Sequence, residues 1–223
     1  RLVYHLQQCN LRCPWCANPE GMDPNGPDTF FMTLEELMEE AVRCKPMFFD
    51  GGGVTFTGGE ATCQFTALKE ALIRLHGMGI STAIETNGTS LRLSELFPLL
   101  DELIIDFKHY DSKVHAKFTG SGNEIICENL RAAIKGHPRL LIRIPLIGGF
   151  NASLEDMKAF LAFFAAQDTD GVRFELLTYH EYGKEKWQRC GKAYTVTDAF
   201  VPEETRDLYE KMMREQGLDV VRT

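Results

Sequence analysis

Short apolar runs alternate with amphipathic stretches along the whole chain. The runs at Leu2–Leu6, Val54–Thr57, Ile80–Glu85, Glu102–Phe107, Leu140–Pro145 and Val172–Leu177 are four to six residues long. Their length and β-branched content predict strands. Between them a helical period predicts helices at Leu34–Arg43, Thr66–His76, Lys113–Phe118, Glu124–Lys135 and Leu154–Ala166, with a short one near Leu93–Leu99. Pro202 opens a last helix over Glu203–Glu215. Thr33 stands three residues before Glu36, which is the signature of a capping box, and Gly77 marks a helix stop.

Strands that alternate with helices pair in parallel through right-handed crossovers, so the chain is α/β. Six such units fit an open doubly wound sheet or an incomplete barrel equally well. No linker or low-complexity tract interrupts the 223 residues, which predicts one domain over residues 1–223. In parallel β/α proteins ligands gather at the carboxyl ends of the strands. The unusual residues of this chain fall on that edge.

Cys9, Cys13 and Cys16 follow the first strand in Cys-Asn-Leu-Arg-Cys-Pro-Trp-Cys. Three thiolates in one short loop can hold three irons of a [4Fe–4S] cluster and leave the fourth open to a small molecule. An electron-transfer cluster normally takes four cysteines. Structural zinc takes four ligands, usually as two separated pairs. The spacing therefore points to chemistry at the metal, with buried packing thiols as the plainer alternative.

The other strand ends each allow two readings. Gly58-Gly59 permits close backbone approach to a ligand, or makes a plain turn. The Gly51-Gly52-Gly53 run before the strand is a flexible entry. Glu60, Glu85 and Asp106 place carboxylates at one rim, which calls for a cation or ammonium among them unless they cap helices. Asp106 and Lys108 face the same side of a strand end and can hold an amino-acid-like ligand or pair with each other. Arg143 lies between Ile142 and Ile144 and must be paired or bind an anion. His180 hydrogen-bonds a ligand or ties down its loop, and Trp15 shields a cluster or simply packs.

Composition narrows the class. With 44% hydrophobic and 25% charged residues the chain is an ordinary globular one. A formal charge of −8 argues against a nucleic-acid partner. No apolar run approaches the ~18–20 residues of a membrane span. Seven cysteines is an odd count, and Cys44, Cys63, Cys127 and Cys190 show no pairing pattern, so a reducing cytoplasm is expected and these four are assigned to packing. The chain opens at Arg1 inside a strand without an initiator methionine, so a leading segment is expected ahead of it.

Taken together, the motifs resemble the radical S-adenosylmethionine (SAM) enzymes, and within them the glycyl-radical-enzyme activating enzymes, nearest to those acting on pyruvate formate-lyase. The resemblance rests on the Cys-x3-Cys-x2-Cys loop with Trp15 before its last cysteine, Gly51–Thr55 through Glu60, Thr86-Asn87-Gly88, Asp106-Phe107-Lys108, Ile142-Arg143 and Tyr179–Trp187. These stretches are collinear with the family pattern over nearly the whole chain.

The resemblance implies a partial (β/α)6 TIM-like barrel and one [4Fe–4S] cluster on Cys9, Cys13 and Cys16. The open iron would take the amino and carboxylate groups of SAM. One-electron cleavage would give a 5′-deoxyadenosyl radical that removes a Cα hydrogen from a glycine of pyruvate formate-lyase or a related glycyl radical enzyme. By position Trp15, Cys16 and Ala17 would lie along the adenine, and Gly58, Gly59 and Glu60 near the methionine amino group. Asp106, Phe107, Lys108, Arg143 and His180 would hold the carboxylate and ribose. Glu85, Thr86 and Asp106 match a monovalent-cation site (Na+ or K+). No residue is expected to act as acid or base. A flavodoxin or ferredoxin donor and a monomeric state are also implied.

Departures from the pattern are Glu85 in place of aspartate, Gln8 in place of glycine before Cys9, and no Asp-Gly-Pro-Gly ahead of Arg1. The stretch from Cys16 to Gly58 is too short and cysteine-poor for the ferredoxin-like insert of many relatives, so a single cluster is expected. The competing readings are a radical SAM enzyme acting on a small molecule or anaerobic ribonucleotide reductase, and a non-catalytic iron–sulfur or zinc protein.

Overall fold

A computed structural model describes residues 1–26 and 29–223. In chain order the elements are β1 (Leu2–Leu6), α1 (Leu34–Cys44), β2 (Gly53–Gly58), α2 (Phe65–Gly77), β3 (Ser81–Thr86), β4 (Glu102–Asp106) and α3 (Ser112–Thr119). They continue with α4 (Glu124–Gly136), β5 (Leu140–Leu146), α5 (Leu154–Ala165), β6 (Arg173–Thr178), α6 (Lys184–Arg189), α7 (Glu203–Glu215) and β7 (Asp219–Val220). All strand pairs are parallel, and the sheet runs β1-β2-β3-β4-β5-β6-β7. Strand β7 does not pair back to β1. The sheet curls as an incomplete barrel, and the seventh strand corrects the expectation of six. Two residues carry no period-2 signal, so β7 was invisible in the pattern.

Caps set the helix starts as expected. Thr33 Oγ1 accepts from Glu36 N, and Glu36 Oε2 accepts from Thr33 N. Ser153 and Asp156 repeat that capping box at α5. Residues Leu93–Leu99 form a 3-10 helix rather than an α-helix, since Pro98 inside it cannot donate a backbone hydrogen bond.

Alternation along the strands sorts residues onto two faces. Phe56, Ile84, Leu103, Ile105, Ile142, Ile144 and Phe174 point outward into one core shared with the helices. Thr57, Glu85, Asp106, Arg143 and Glu175 point inward. Asp106 lies in register with Arg143, and Arg143 with Glu175. The outward apolar face holds the fold, and the inward polar face is left to bind something.

Three buried histidines tie stability to pH. His137 Nε2 lies 3.1 Å from Leu100 O, while Nδ1 accepts from Arg139 N. His109 Nδ1 likewise accepts from Asp111 N. A backbone N–H facing the ring nitrogen demands a neutral ring. Burial lowers the pKa of His109, His115 and His137 below the ordinary value. The folded state therefore binds fewer protons than the unfolded chain. Stability is full above about pH 6.5 and falls as pH drops toward the folded pKa values, by up to about 1.4 kcal/mol per pH unit for each ring. Urea unfolding should show a lower midpoint at pH 5.5 than at pH 7.5; an equal or higher midpoint would contradict the assignment.

Candidate functional site

A cleft of about 300 Å³ opens at the carboxyl ends of the strands. It is lined by Cys9, Cys13, Cys16, Trp15 and Ala17 from the loop after β1, and by Gly58, Gly59 and Glu60 after β2. Glu85, Thr86, Asp106, Lys108, Arg143 and His180 complete the set named from the sequence. A larger groove of about 610 Å³ lies between β1, α1 and α2, with apolar walls and none of the cysteines.

The cysteine loop is fixed by its neighbours. Gly59 N donates to Leu6 O and Glu60 N to Gln8 O, both at 2.8 Å. Gly58 sits at φ +113°, a conformation that side chains rarely adopt. A Cβ on Gly59 would come within 2.4 Å of Gln8 O and 2.3 Å of Gly21 O. Only glycines let β2 end this close to the loop. On the other side Trp187 Nε1 donates to Cys16 O at 2.9 Å, and Lys186 Nζ donates to Asn18 Oδ1 and Glu20 Oε1. A roof of Ile147, Phe150 and Tyr179 packs over Trp15, whose ring lies 4.5 Å from Phe150.

All seven cysteines are free thiols. Cys13 is pushed up to about 12 by burial, and Cys9 and Cys16 are raised for the same reason. Each of the three raises at least one of the others, which marks them as one electrostatic group. Leu11 N and Asn18 N donate to the Cys9 and Cys16 sulfurs at 3.4 Å. These donors favour thiolates once a metal is present. Among the described residues no three His, Cys, Asp or Glu side chains gather around one point as a mononuclear ion requires. The set of thiols with backbone N–H donors fits a polynuclear iron–sulfur cluster better than a single zinc ion.

Glu60 is almost fully buried, at 1% exposure, yet its carboxylate is saturated. Oε1 accepts from Thr62 N, Thr62 Oγ1 and Thr86 Oγ1, and Oε2 accepts from Asn87 N. It welds the ends of β2 and β3 together. Truncation in Glu60→Ala leaves buried donors unpaired and should cost about 2–4 kcal/mol, since each orphaned group costs roughly 1–3. Thermal unfolding of the variant checks this, and an unchanged Tm would refute it.

Charges inside the barrel are paired across strands. Arg143 Nη1 donates to Glu85 Oε1 at 3.0 Å, and Arg143 Nε donates to Glu175 Oε2 at 2.8 Å. Thr57 Oγ1 donates to Glu85 Oε2 at 2.9 Å. Lys108 Nζ donates to Asp106 Oδ2 at 2.5 Å. Burial disfavours the Lys108 charge, but Asp106 and the thiols hold its pKa above the ordinary value. Burial likewise opposes the Arg143 charge, and Glu85 and Glu175 outweigh it.

Two sequence expectations need correction. Phe107 does not enter the cleft: it is fully buried on the outer face, with its ring 4.8 Å from Phe163 and 5.2 Å from Phe160. Strand parity sends residues 106 and 108 inward and residue 107 outward. The cation triad is not assembled either. Glu85 is inward and bonded to Arg143, Thr86 is on the opposite side of the strand donating to Glu60, and Asp106 is held by Lys108. His180 reaches the rim, exposed and stacked on Tyr182 at 4.3 Å.

Sequence reasoning missed several residues. Glu175, Thr57 and Trp187 shape the site, as do Asn87, which donates to Cys9 Sγ, and the buried Leu11. The inward parity of Thr57 and Glu175 was the available signal. Trp187 gave none beyond lying in the Tyr179–Trp187 block.

The sequence profile of the radical SAM superfamily matches residues 3–163. The chain is 35% identical over 170 residues to the 4-hydroxyphenylacetate decarboxylase activating enzyme of Clostridioides difficile (strain CD196), covering 74% of this chain and 53% of that protein. It therefore spans about half the length of that relative. It is 30% identical over 213 residues to the pyruvate formate-lyase-activating enzyme of Staphylococcus epidermidis (strain ATCC 12228), covering 92% and 84%. In three dimensions it is similar to a domain of the pyruvate-formate lyase-activating enzyme of Bacteroides vulgatus. That match has a TM-score of 0.62 and 29% identity, and covers 77% of this chain and 98% of that domain. Members of the superfamily use a [4Fe–4S] cluster and SAM, and the thiol-lined cleft suits both. The profile match, the two activating-enzyme relatives and the cysteine loop agree: the chain belongs to the radical SAM superfamily, in the branch of the glycyl-radical-enzyme activating enzymes.

Proposed function

We propose that this protein installs a glycyl radical on a partner enzyme, pyruvate formate-lyase or a relative of it. When bound, a [4Fe–4S] cluster with SAM supplies a 5′-deoxyadenosyl radical able to take a glycine Cα hydrogen. Cys9, Cys13 and Cys16 would hold three irons. Trp15 and Ala17 would flank the adenine, and the backbone of Gly58 and Gly59 would face the methionine amino group. Lys108, Arg143 and His180 would hold the carboxylate and ribose, with Asp106 keeping Lys108 in place. Glu60 acts from behind by fixing both strand ends.

The observation that carries this reading is the placement of three clustered thiols and two paired cations on one strand-end cleft. The sheet is unclosed between β1 and β7, which supports a protein segment as substrate rather than an enclosed small molecule. Among the described residues no helix is long and apolar enough to cross a membrane. A small flavodoxin or ferredoxin as donor and a monomeric state complete the proposal.

The decisive experiment is anaerobic reconstitution with iron and sulfide, followed by reductant, SAM and candidate partners. The expected result is 5′-deoxyadenosine together with a glycyl radical signal. Metal uptake without deoxyadenosine would sink the enzymatic reading. Deoxyadenosine with no radical on any partner would turn it toward a small-molecule substrate.

A further inference from the structure

The paired charges inside the barrel have a consequence for alkali ions, given the proposed reading of the cleft as a SAM site. A monovalent cation at Glu85, Thr86 and Asp106 needs their oxygens turned to one point with negative charge left to neutralise. Neither condition holds. The Glu85 carboxylate has both oxygens engaged, one by Arg143 and one by the Thr57 hydroxyl. Asp106 is neutralised by Lys108, and the Thr86 hydroxyl is turned away toward Glu60.

Arg143 is also not free to leave. Its Nε donates to Glu175, whose side chain is only 4% exposed. Breaking a buried pair strands a charge away from water, which is among the costlier events in a protein interior. The guanidinium thus bridges β3 and β6 from its seat on β5. Glutamate rather than aspartate at position 85 makes this span possible, because its carboxylate reaches roughly one C–C bond, about 1.5 Å, farther past β4.

We infer that the Arg143 guanidinium, clamped between Glu85 and Glu175, takes the place of a monovalent cation in this chain, so that SAM binding and cleavage need neither Na+ nor K+. A guanidinium has five N–H donors. Two are spent on Glu175 and Glu85, and the rest lie on the cleft wall that Arg143 lines. An alkali ion in such a site offers a positive charge between protein and ligand carboxylates. Arg143 offers the same charge with directional N–H bonds that suit a carboxylate.

The inference is tested on the reconstituted protein in potassium, sodium and tetramethylammonium chloride at one ionic strength. SAM affinity is read from the change in the cluster's EPR spectrum, and turnover from deoxyadenosine. Wild type should agree within about twofold in all three salts, whereas Glu85→Asp should gain at least about tenfold from K+ or Na+, a shift of 1.4 kcal/mol. A wild type stimulated about tenfold by either ion overturns the inference, as does a Glu85→Asp variant indifferent to salt. Sodium-23 linewidths decide it independently of turnover. Saturable Na+ binding in Glu85→Asp but not in wild type supports it; saturable binding in wild type that Glu85→Gln removes overturns it. Absence of any SAM response in every salt would fall on the proposed function, and the linewidths would still judge Arg143.

Discussion

Cys13→Ala should leave a folded protein that assembles no [4Fe–4S] cluster and makes no detectable 5′-deoxyadenosine. Cys13 is the most buried of the three loop thiols, at 7% exposure, and lies between Cys9 and Cys16 in sequence. Losing an outer-shell partner of a metal site typically costs 10–100-fold, so losing a ligand should exceed about a hundredfold in turnover. The truncation itself is mild for the fold, because cysteine in a core behaves as a small hydrophobe. Far-UV circular dichroism should thus match wild type while the iron–sulfur absorbance is gone. Retention of the cluster with normal turnover would remove Cys13 from the ligand set. The same substitution at Cys44, Cys127 or Cys190 should leave the cluster in place.

Gly59→Ala should be nearly as damaging, for a different reason. The added methyl meets two backbone carbonyls, on Gln8 and Gly21, closer than any real Cβ contact. Neither obstacle is a flexible side chain, so the loop itself must move. That movement breaks the Gly59–Leu6 and Glu60–Gln8 hydrogen bonds that hold the cysteine loop on β2. Overpacking costs typically 1–3 kcal/mol and occasionally more, and here about 3 kcal/mol is expected. For a chain of this size that lowers Tm by roughly 6–12 °C. Cluster yield should fall as well, because Cys9 is the next residue after Gln8. Gly77→Ala is the control: its Cβ meets nothing within 4 Å, and the fold should tolerate it. Equal Tm values for the two variants would show that the loop is not held through Gly59.

The strands and helices were legible because the fold repeats one device. An apolar outward face and a polar inward face give each strand a period of two, and each helix a stripe. The two-residue β7 escaped because it is shorter than any period. The site was legible at the strand ends, where glycines, carboxylates and cysteines interrupt apolar runs. Phe107 was misplaced because it was read by motif membership, although parity with Asp106 and Lys108 already sent it to the core. The cation triad failed for the same reason: Glu85 and Thr86 are neighbours on a strand, so their side chains diverge. What the sequence could not show was partnership over distance. That Arg143 spans Glu85 and Glu175, or that Trp187 bonds Cys16, depends on how the sheet curls.

The Trp187 bond to Cys16 joins residues 171 positions apart. The cysteine loop leaves the ribosome early, while its clamp is made near the end of synthesis. At about 5–20 residues per second the thiols wait roughly 9–34 s before Trp187 exists. During that interval they are open to oxygen, zinc and stray disulfide exchange. Yield of active protein should therefore depend on the thiol environment of the growing chain, and late cluster delivery to a finished fold is the order that the architecture favours.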